Sequence, residues 1–346
     1  MDFSSDNAAG ASPEILAALE AVNRGPATAY GADDVTARLE RRFAALFERE
    51  VAVFPVATGT AANALALAAL TPPWGIVYCH EDAHIAVDEC GAPEFFTGGA
   101  KLIGVAGEHA KITPAGIAAR LTERGFVHHA QPAAISLSQS TEAGAVYAAA
   151  ELASMGEFAR RERLLLHVDG ARFGNAVAAL GCTPADITWR VGVDALSFGA
   201  TKNGALAAEA VIFFDPDRAR DFGYRRKRGG HLVSKMRFLA AQLEAYLEDG
   251  LWLRNARHSN AMAARLAAAL VRIDGARLRH PVEANEVFVE LPEPVIVALA
   301  AQGFKFYRWG GANARCIRLV TSFATAADEV DALVAAIRHQ IGRGKN

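Results

Sequence analysis

The sequence predicts an α/β protein: a large domain built on a mainly parallel sheet with helices on both faces, then a small α+β domain. Three observations predict it. Short apolar runs at 51–56, 76–79, 133–138, 164–169, 193–198 and 210–214 alternate with longer helical stretches, as strands and crossover helices do in parallel sheets. The chain has 346 residues, of which 52% are hydrophobic and 21% charged, enough for a large core and a second, smaller one. After Asp274-Gly275 the pattern changes to shorter strands and two helices. The division is placed near Trp252, giving residues 1–252, with an N-terminal arm, and 253–346.

Taken in order, residues up to Tyr30 are polar and irregular apart from one helix opening at Ser12-Pro13-Glu14, a cap followed by proline at the first position. The next stretch, 35–48, is amphipathic, with Val35, Leu39, Phe43, Leu46 and Phe47 on one face. A strand at 51–56 runs through Ala57-Thr58-Gly59-Thr60-Ala61-Ala62-Asn63 into a helix over 64–70. A strand, a small turn and a helix N-terminus can cradle a phosphate, because free N–H groups and the helix dipole meet there; an ordinary capped helix reads the same way. Neither G-x-x-x-x-G-K-[ST] nor G-x-G-x-x-G is present, which argues against a nucleotide or dinucleotide site.

The strand at 76–79 leads into His80-Glu81-Asp82-Ala83-His84 and on to Asp88-Glu89. The spacing matches no trusted metal-ligand pattern, so no metal is expected. A histidine at a strand's C-terminal edge can stack on a flat aromatic ring, while His80 reads as a plain surface residue. Phe95-Phe96 and 101–103 are read as a further strand. Then come a strand at 133–138, the loop Gln139-Ser140-Thr141-Glu142-Ala143-Gly144 and a helix over 149–161. Helices are expected over 239–253 and 256–271, short strands at 277–280, 286–291, 304–307 and 314–320, and helices over 294–301 and on to 341.

Two strand ends carry the chemistry. One run ends in Val168-Asp169-Gly170-Ala171-Arg172, the other in Gly199-Ala200-Thr201-Lys202-Asn203-Gly204. A lysine among small residues, with no acidic neighbour in sequence, is either a solvated loop residue or, if desolvated, an amine nucleophile fit for a Schiff base. Asp169 is either a helix cap or a carboxylate that holds a pyridine nitrogen protonated. Together, 33 positions apart, they are what pyridoxal 5'-phosphate (PLP) needs. Thr60, His84, Asp169 and Lys202 all follow strands, so one sheet edge could gather them. Arg318, on a strand of the small domain, is a surface residue or a carboxylate clamp.

A net charge of −2 gives no reason to expect nucleic acid or an anionic membrane, and Arg225-Arg226-Lys227-Arg228 is too short a cluster to change that. No apolar run approaches the roughly 20 residues that span a bilayer. The N-terminus lacks a basic region followed by an apolar one, and Cys79, Cys90, Cys182 and Cys316 form no C-x-x-C pair. These features fit a reducing cytoplasm.

In order and spacing, six motifs resemble those of the low-specificity L-threonine aldolases, PLP enzymes of the aspartate aminotransferase fold (fold type I) in the β-eliminating lyase group. They are Ser4-Ser5-Asp6-Asn7, Gly59-Thr60-Ala61-Ala62-Asn63, Ala83-His84, Val168-Asp169-Gly170-Ala171-Arg172, Thr201-Lys202-Asn203-Gly204 and Ile317-Arg318-Leu319-Val320. The resemblance implies that Lys202 carries the cofactor and Asp169 binds its pyridine nitrogen. It implies that His84 stacks on the ring, that Gly59 and Thr60 hold the phosphate with Thr201 beside them, and that Ser5, Arg172 and Arg318 grip the substrate carboxylate.

It also implies retro-aldol cleavage of L-threonine, L-allo-threonine and related β-hydroxy-α-amino acids to glycine and an aldehyde. The alternatives are a phenylserine aldolase, another fold type I β-eliminating lyase or aminotransferase, or a non-catalytic PLP-binding protein. A homotetramer of two dimers is implied, in which basic residues near Arg228 to Lys235 would reach a neighbour's phosphate. One departure is visible. Many relatives carry a histidine near the substrate hydroxyl in the loop that here reads Gln-Ser-Thr-Glu, so His84 is the expected base.

Overall fold

The computed structural model describes residues 1–311 and 314–343; Ala312, Asn313 and 344–346, which fall within the expected span 253–346, lie outside the described residues. Seven strands form the large sheet: β1 (Ala52–Val56), β2 (Gly75–His80), β3 (Lys101–Val105), β4 (Gln131–Ser138), β5 (Leu165–Gly170), β6 (Ala195–Gly199) and β7 (Glu209–Phe213). Their order is β1-β7-β6-β5-β4-β2-β3. The pairs from β6 through to β3 are parallel, and β7 runs against both β6 and β1. A β7 reversed between two forward strands still needs no exposed face. Its five residues are all buried, as are those of β6, which explains why the sequence reads as unbroken apolar runs.

Both faces of the sheet are packed. On one, Phe43 and Phe47 of the helix Asp34–Phe47 meet Phe173, Phe198 and Phe214, with Tyr246 and Trp252 beyond. On the other lies the helix Gly59–Leu70, buried along most of its length. Its alanines favour helix intrinsically and their small side chains let the backbone lie close to Val56, Val211 and Phe213.

A second sheet of four antiparallel strands follows: β8 (Arg277–Leu278), β9 (Glu286–Glu290), β10 (Tyr307–Trp309) and β11 (Cys316–Val320), in the order β10-β11-β9-β8. It packs on the helices Glu293–Ala301 and Ala327–Arg343 around Val287, Ile317, Leu333 and Ile337. The helix Leu251–Leu270 links the two cores. Leu251 and Trp252 belong to the first, and Ala263, Leu266 and Leu270 to the second. The expected division at Trp252 therefore falls in this helix's first turn, and we propose that the two cores are domains joined along it. The N-terminal arm reaches the small one. Phe3 is 1% exposed in its core, Asp2 bridges to Lys305, and the Val320 N–H donates to the Phe3 carbonyl at 2.8 Å.

Three expected elements differ. Phe95 and Phe96 lie on the helix Ala92–Thr97, not on a strand, because Gly91 and Gly98 (φ 74° and 81°) punctuate the chain on either side. The helix pair breaks at 248–250, where Asp249 and Gly250 take left-handed backbone (φ 49° and 66°), giving Arg237–Leu247 and Leu251–Leu270. The strand expected at 304–307 is Tyr307–Trp309, since Lys305 is occupied by the N-terminal arm. No helix of the described residues is long and apolar enough to cross a membrane.

Candidate active site

The C-terminal ends of β1, β2, β4, β5 and β6 and the start of β7 meet at one edge of the large sheet. There they open on a cavity of about 570 Å³. Ser5, Gly59, Thr60, His84, Asp169, Arg172, Thr201, Lys202 and Arg318 all line it. These are the residues to which the resemblance gave a catalytic, cofactor or substrate role within one chain.

Lys202 sits in the turn Thr201–Asn203, directly after β6. The turn is held from behind. Asn203 Nδ2 donates to the Tyr246 hydroxyl (2.6 Å) and the Trp252 carbonyl (2.8 Å), and Asn255 Nδ2 donates to the Asn203 carbonyl (2.9 Å). Gly204 ends the turn at φ 117°, where a Cβ would lie 2.3 Å from Ser12 Oγ. Among the described residues Lys202 has no hydrogen bond or ion pair. Thr201 Oγ1 accepts from the Ala208 N–H (3.2 Å). The adjoining Ala200 N–H donates to Glu209 Oε2 (2.8 Å), and burial pushes the Glu209 carboxyl up to about 7.

Asp169 ends β5, paired in register with Ser138 on one side and Ser197 on the other. Its Oδ1 accepts from the Ala171 N–H (3.0 Å), a local turn contact and not a helix cap, since the next helix begins at Phe173 with Arg172 in the cap position. Its Oδ2 accepts from Asn63 Nδ2 (2.8 Å) at the cavity floor. Two residues earlier, His167 bonds Ser136 (2.9 Å) and Ser197 (3.0 Å). Burial lowers its pKa to about 4.

His84 opens a short helix after β2, with its side chain 39% exposed to the cavity. Its Nδ1 lies 2.8 Å from Glu89 Oε1, and its backbone N–H donates to Glu142 Oε1 at 2.9 Å. The bond to Glu89 raises the imidazole pKa; burial opposes this, nearby Asp169 adds to it and Lys202 subtracts. Glu142 also accepts from Ser138 Oγ (2.5 Å), and burial carries its carboxyl to about 7. His80 is not the surface histidine expected. It is buried, accepting from the Asp82 N–H (3.0 Å) and reaching the Gly107 carbonyl (3.1 Å), which shapes the turn that delivers His84.

At the end of β1, Thr58 caps the helix Gly59–Leu70 by accepting from the Ala61 N–H (3.2 Å). Gly59 and Thr60 open the helix, where N–H groups precede the hydrogen-bonded ladder, and both residues line the cavity. Across from it, Arg172 pairs with Asp6 through two bonds (2.8 and 3.1 Å) and lies 3.2 Å from Glu286. Arg318 reaches the Ser4 carbonyl (3.3 Å) and stands over the rings of Tyr307 and Trp309. Arg318 also lies 3.8 Å from Glu286, so both arginines face carboxylates of this chain. Arg228 lines a separate groove with Phe95 and Tyr224, and none of residues 228–235 lines the cavity within one chain.

Sequence reasoning missed the residues that hold these groups: Asn63, Glu89, Glu142, Asp6, Glu286 and Trp309. Asn63 and Asp6 stood inside quoted motifs without a role. Glu89 lies five residues after His84 and two beyond the end of its short helix at Val87, a spacing that no helical rule picks out. Glu286 and Trp309 come from the second sheet, for which the sequence offered only Arg318 as a residue of the site.

A family model for β-eliminating lyases matches residues 2–293. The chain is 47% identical over 343 residues to the low-specificity L-threonine aldolase of Pseudomonas aeruginosa, covering 98% of each. It is 46% identical over 336 residues to that of a Pseudomonas species, covering 97% of this chain and 96% of the relative. The solved structure of Leishmania major threonine aldolase superposes with a TM-score of 0.92 at 30% identity, covering 98% of each chain. The architecture is the aspartate aminotransferase-like fold type I, with a large α/β domain and a smaller C-terminal one.

Proposed function

The chain belongs to the β-eliminating lyase family, and we propose that it is an aldehyde-lyase cleaving the Cα–Cβ bond of L-threonine, L-allo-threonine and related β-hydroxy-α-amino acids to give glycine and an aldehyde. One observation carries this reading: a single cavity joins an unpaired lysine, a buried carboxylate, an open helix N-terminus and two guanidinium groups.

PLP fits those residues. Five buried polar groups of the cavity wall have an atom without a hydrogen bond among the described residues: Asn63 Oδ1, Ser140 Oγ, Glu142 Oε2, the Glu286 carboxylate and Arg318 Nε. A polar ligand would meet them. When bound, the cofactor supplies the electron sink for the pair released from the breaking bond. Lys202 would hold its aldehyde, Asp169 would keep its ring nitrogen protonated, His84 would cover its ring, and Gly59 and Thr60 would take its phosphate.

Arg172, Arg318 and Ser5 would fix the substrate carboxylate, which sets the angle of the Cα–Cβ bond. His84 would take the hydroxyl proton as the C–O bond becomes a carbonyl. Such proton transfer contributes about 10²–10⁴-fold. The reading is tested with L-threonine and L-allo-threonine, assaying glycine and acetaldehyde. Both products are expected. Lys202→Ala should reduce turnover below about a thousandth, and His84→Asn should slow it while the cofactor stays bound. Pyruvate with ammonia, or a keto acid, in place of glycine would overturn it.

The active form we propose is a homotetramer in a reducing cytoplasm. Two features support it: the four cysteines are unpaired, and Phe95 and Tyr224, 78% and 79% exposed, flank an apolar groove. Light scattering should give four times the 36.7 kDa chain mass; a monomer of full activity would refute it.

A further inference from the structure

The imidazole of His84 is tied into a chain of buried groups that the mechanism above leaves without a task. Glu89 Oε1 lies 2.8 Å from His84 Nδ1 and accepts from Asn63 Nδ2 at 2.8 Å; the same Asn63 nitrogen donates to Asp169 Oδ2 at 2.8 Å. The Glu89 side chain is fully buried and Asn63 is 2% exposed. Resting on the retro-aldol reading, we propose that Glu89 is a positioning residue. It fixes His84 as the Nδ1–H tautomer, so that Nε2 is left to accept the substrate's hydroxyl proton, and Asn63 ties this arrangement to Asp169.

The chemistry of the donors enforces the tautomer. An ionised carboxylate only accepts hydrogen bonds, so the imidazole nitrogen facing it must carry the proton. The amide of Asn63 lies between two carboxylates, which requires its NH₂ end to face both and fixes its orientation. Among the described residues, Nε2 of His84 has no hydrogen-bond partner. The ring is also fixed at its root, because Glu142 holds the His84 backbone N–H.

When Nε2 takes the hydroxyl proton, the ring becomes a cation 2.8 Å from the Glu89 carboxylate. The electron pair of the broken bond would be taken up by the electron sink that the bound cofactor supplies, so charge and protons would balance. Burial gives the pairing its strength, since a neutral partner in the same place stabilises the cation far less. The charged groups around His84 are Glu89 and Asp169, which favour the cation, and Lys202, which opposes it. Asp82 and Asp88 line the same cavity, and Glu142 lies beneath the backbone. A purely structural Glu89 would serve only to anchor the turn after His84.

Two measurements separate these roles. Solid-state ¹⁵N spectra of histidine-labelled, cofactor-free protein, assigned by the signal lost in His84→Asn, should show neutral His84 protonated on Nδ1. Finding Nε2–H would overturn the proposal without any change at Glu89. In the holoenzyme, Glu89→Gln keeps the shape and removes the charge. Its acid limb for kcat should move to lower pH by about one unit, with kcat at least about tenfold lower and KM for L-threonine unchanged. An unmoved limb at normal kcat would leave Glu89 a structural anchor and refute the proposal. If instead His84→Asn turns over normally, the base assignment of the preceding section falls and takes this inference with it.

Discussion

The two walls of the cavity solve the same problem differently. On one, the carboxylates of Asp169, Glu89 and Glu142 are buried against neutral donors: the Asn63 amide, the Ser138 hydroxyl, an imidazole and backbone N–H groups. On the other, Asp6 and Glu286 are buried against the guanidinium groups of Arg172 and Arg318. Neutral donors do not cancel charge, so burial raises the carboxyls of Glu89 and Glu142. Opposite them, the positive field of Arg172, then of Lys202, outweighs burial and lowers Asp6. Glu286 shows where the balance tips. Its arginine contacts are longer, at 3.2 and 3.8 Å, and burial raises it despite them. Glu142 on the first wall is therefore placed to exchange a proton near neutral pH, while the second wall keeps Asp6 charged against its guanidinium groups and can hold a ligand in place.

Removing a guanidinium is the harshest way to break that comparison. Arg172 is 10% exposed at the side chain, with Asp6 and Glu286 at 1% each. Arg172→Ala would leave both carboxylates buried without it, at a cost of about 3–5 kcal/mol, the usual figure for breaking a buried pair from one side. Urea or thermal unfolding of the variant should show that loss near pH 7, together with a raised KM for L-threonine. Arg172→Lys keeps the charge and loses the two-pronged fit to Asp6, so it should fall between. A variant as stable as its parent would mean that the arginine wall is not held by paired charge.

How much of this was legible beforehand follows from which contacts are local. Lys202, Asp169, His84 and Gly59-Thr60 were readable because each follows an apolar strand, and a parallel sheet collects such positions at one edge. The orientation of β7 was not readable, since a buried strand looks the same in either direction. Phe95-Phe96 misled because two adjacent aromatics on a short helix, one exposed and one packed on the core, carry the letters of a strand. The partners of the site residues were hidden for a different reason. Asp6 meets Arg172 across 166 positions, and Asn63 meets Asp169 across 106. Such pairings exist only after the sheet has formed, and no spacing rule announces them. The helix break at Asp249-Gly250 is legible in principle, because that dipeptide is a turn signal, but apolar helical patterns on both sides of it mask the break.

The proton-exchanging wall can be sharpened through Glu142, with a smaller effect on stability. Its carboxyl titrates at about 7 in the folded chain against 4.5 for an unperturbed glutamate. Between those values the folded state binds a proton that the unfolded state has released, so stability falls as pH rises from about 4.5 to about 7. Glu142→Gln cannot ionise, and its amide oxygen can still accept from Ser138 and from the His84 N–H. The variant should therefore gain on its parent by about 3 kcal/mol across that window, with the difference flat below and above it. Glu209 and His167 also shift with pH, but they are common to both proteins and cancel in the difference. Unfolding free energies from urea titrations at half-unit pH steps measure it directly. A difference that did not change with pH would mean Glu142 ionises as an ordinary surface acid does, and the contrast between the two walls would then rest on Glu89 alone.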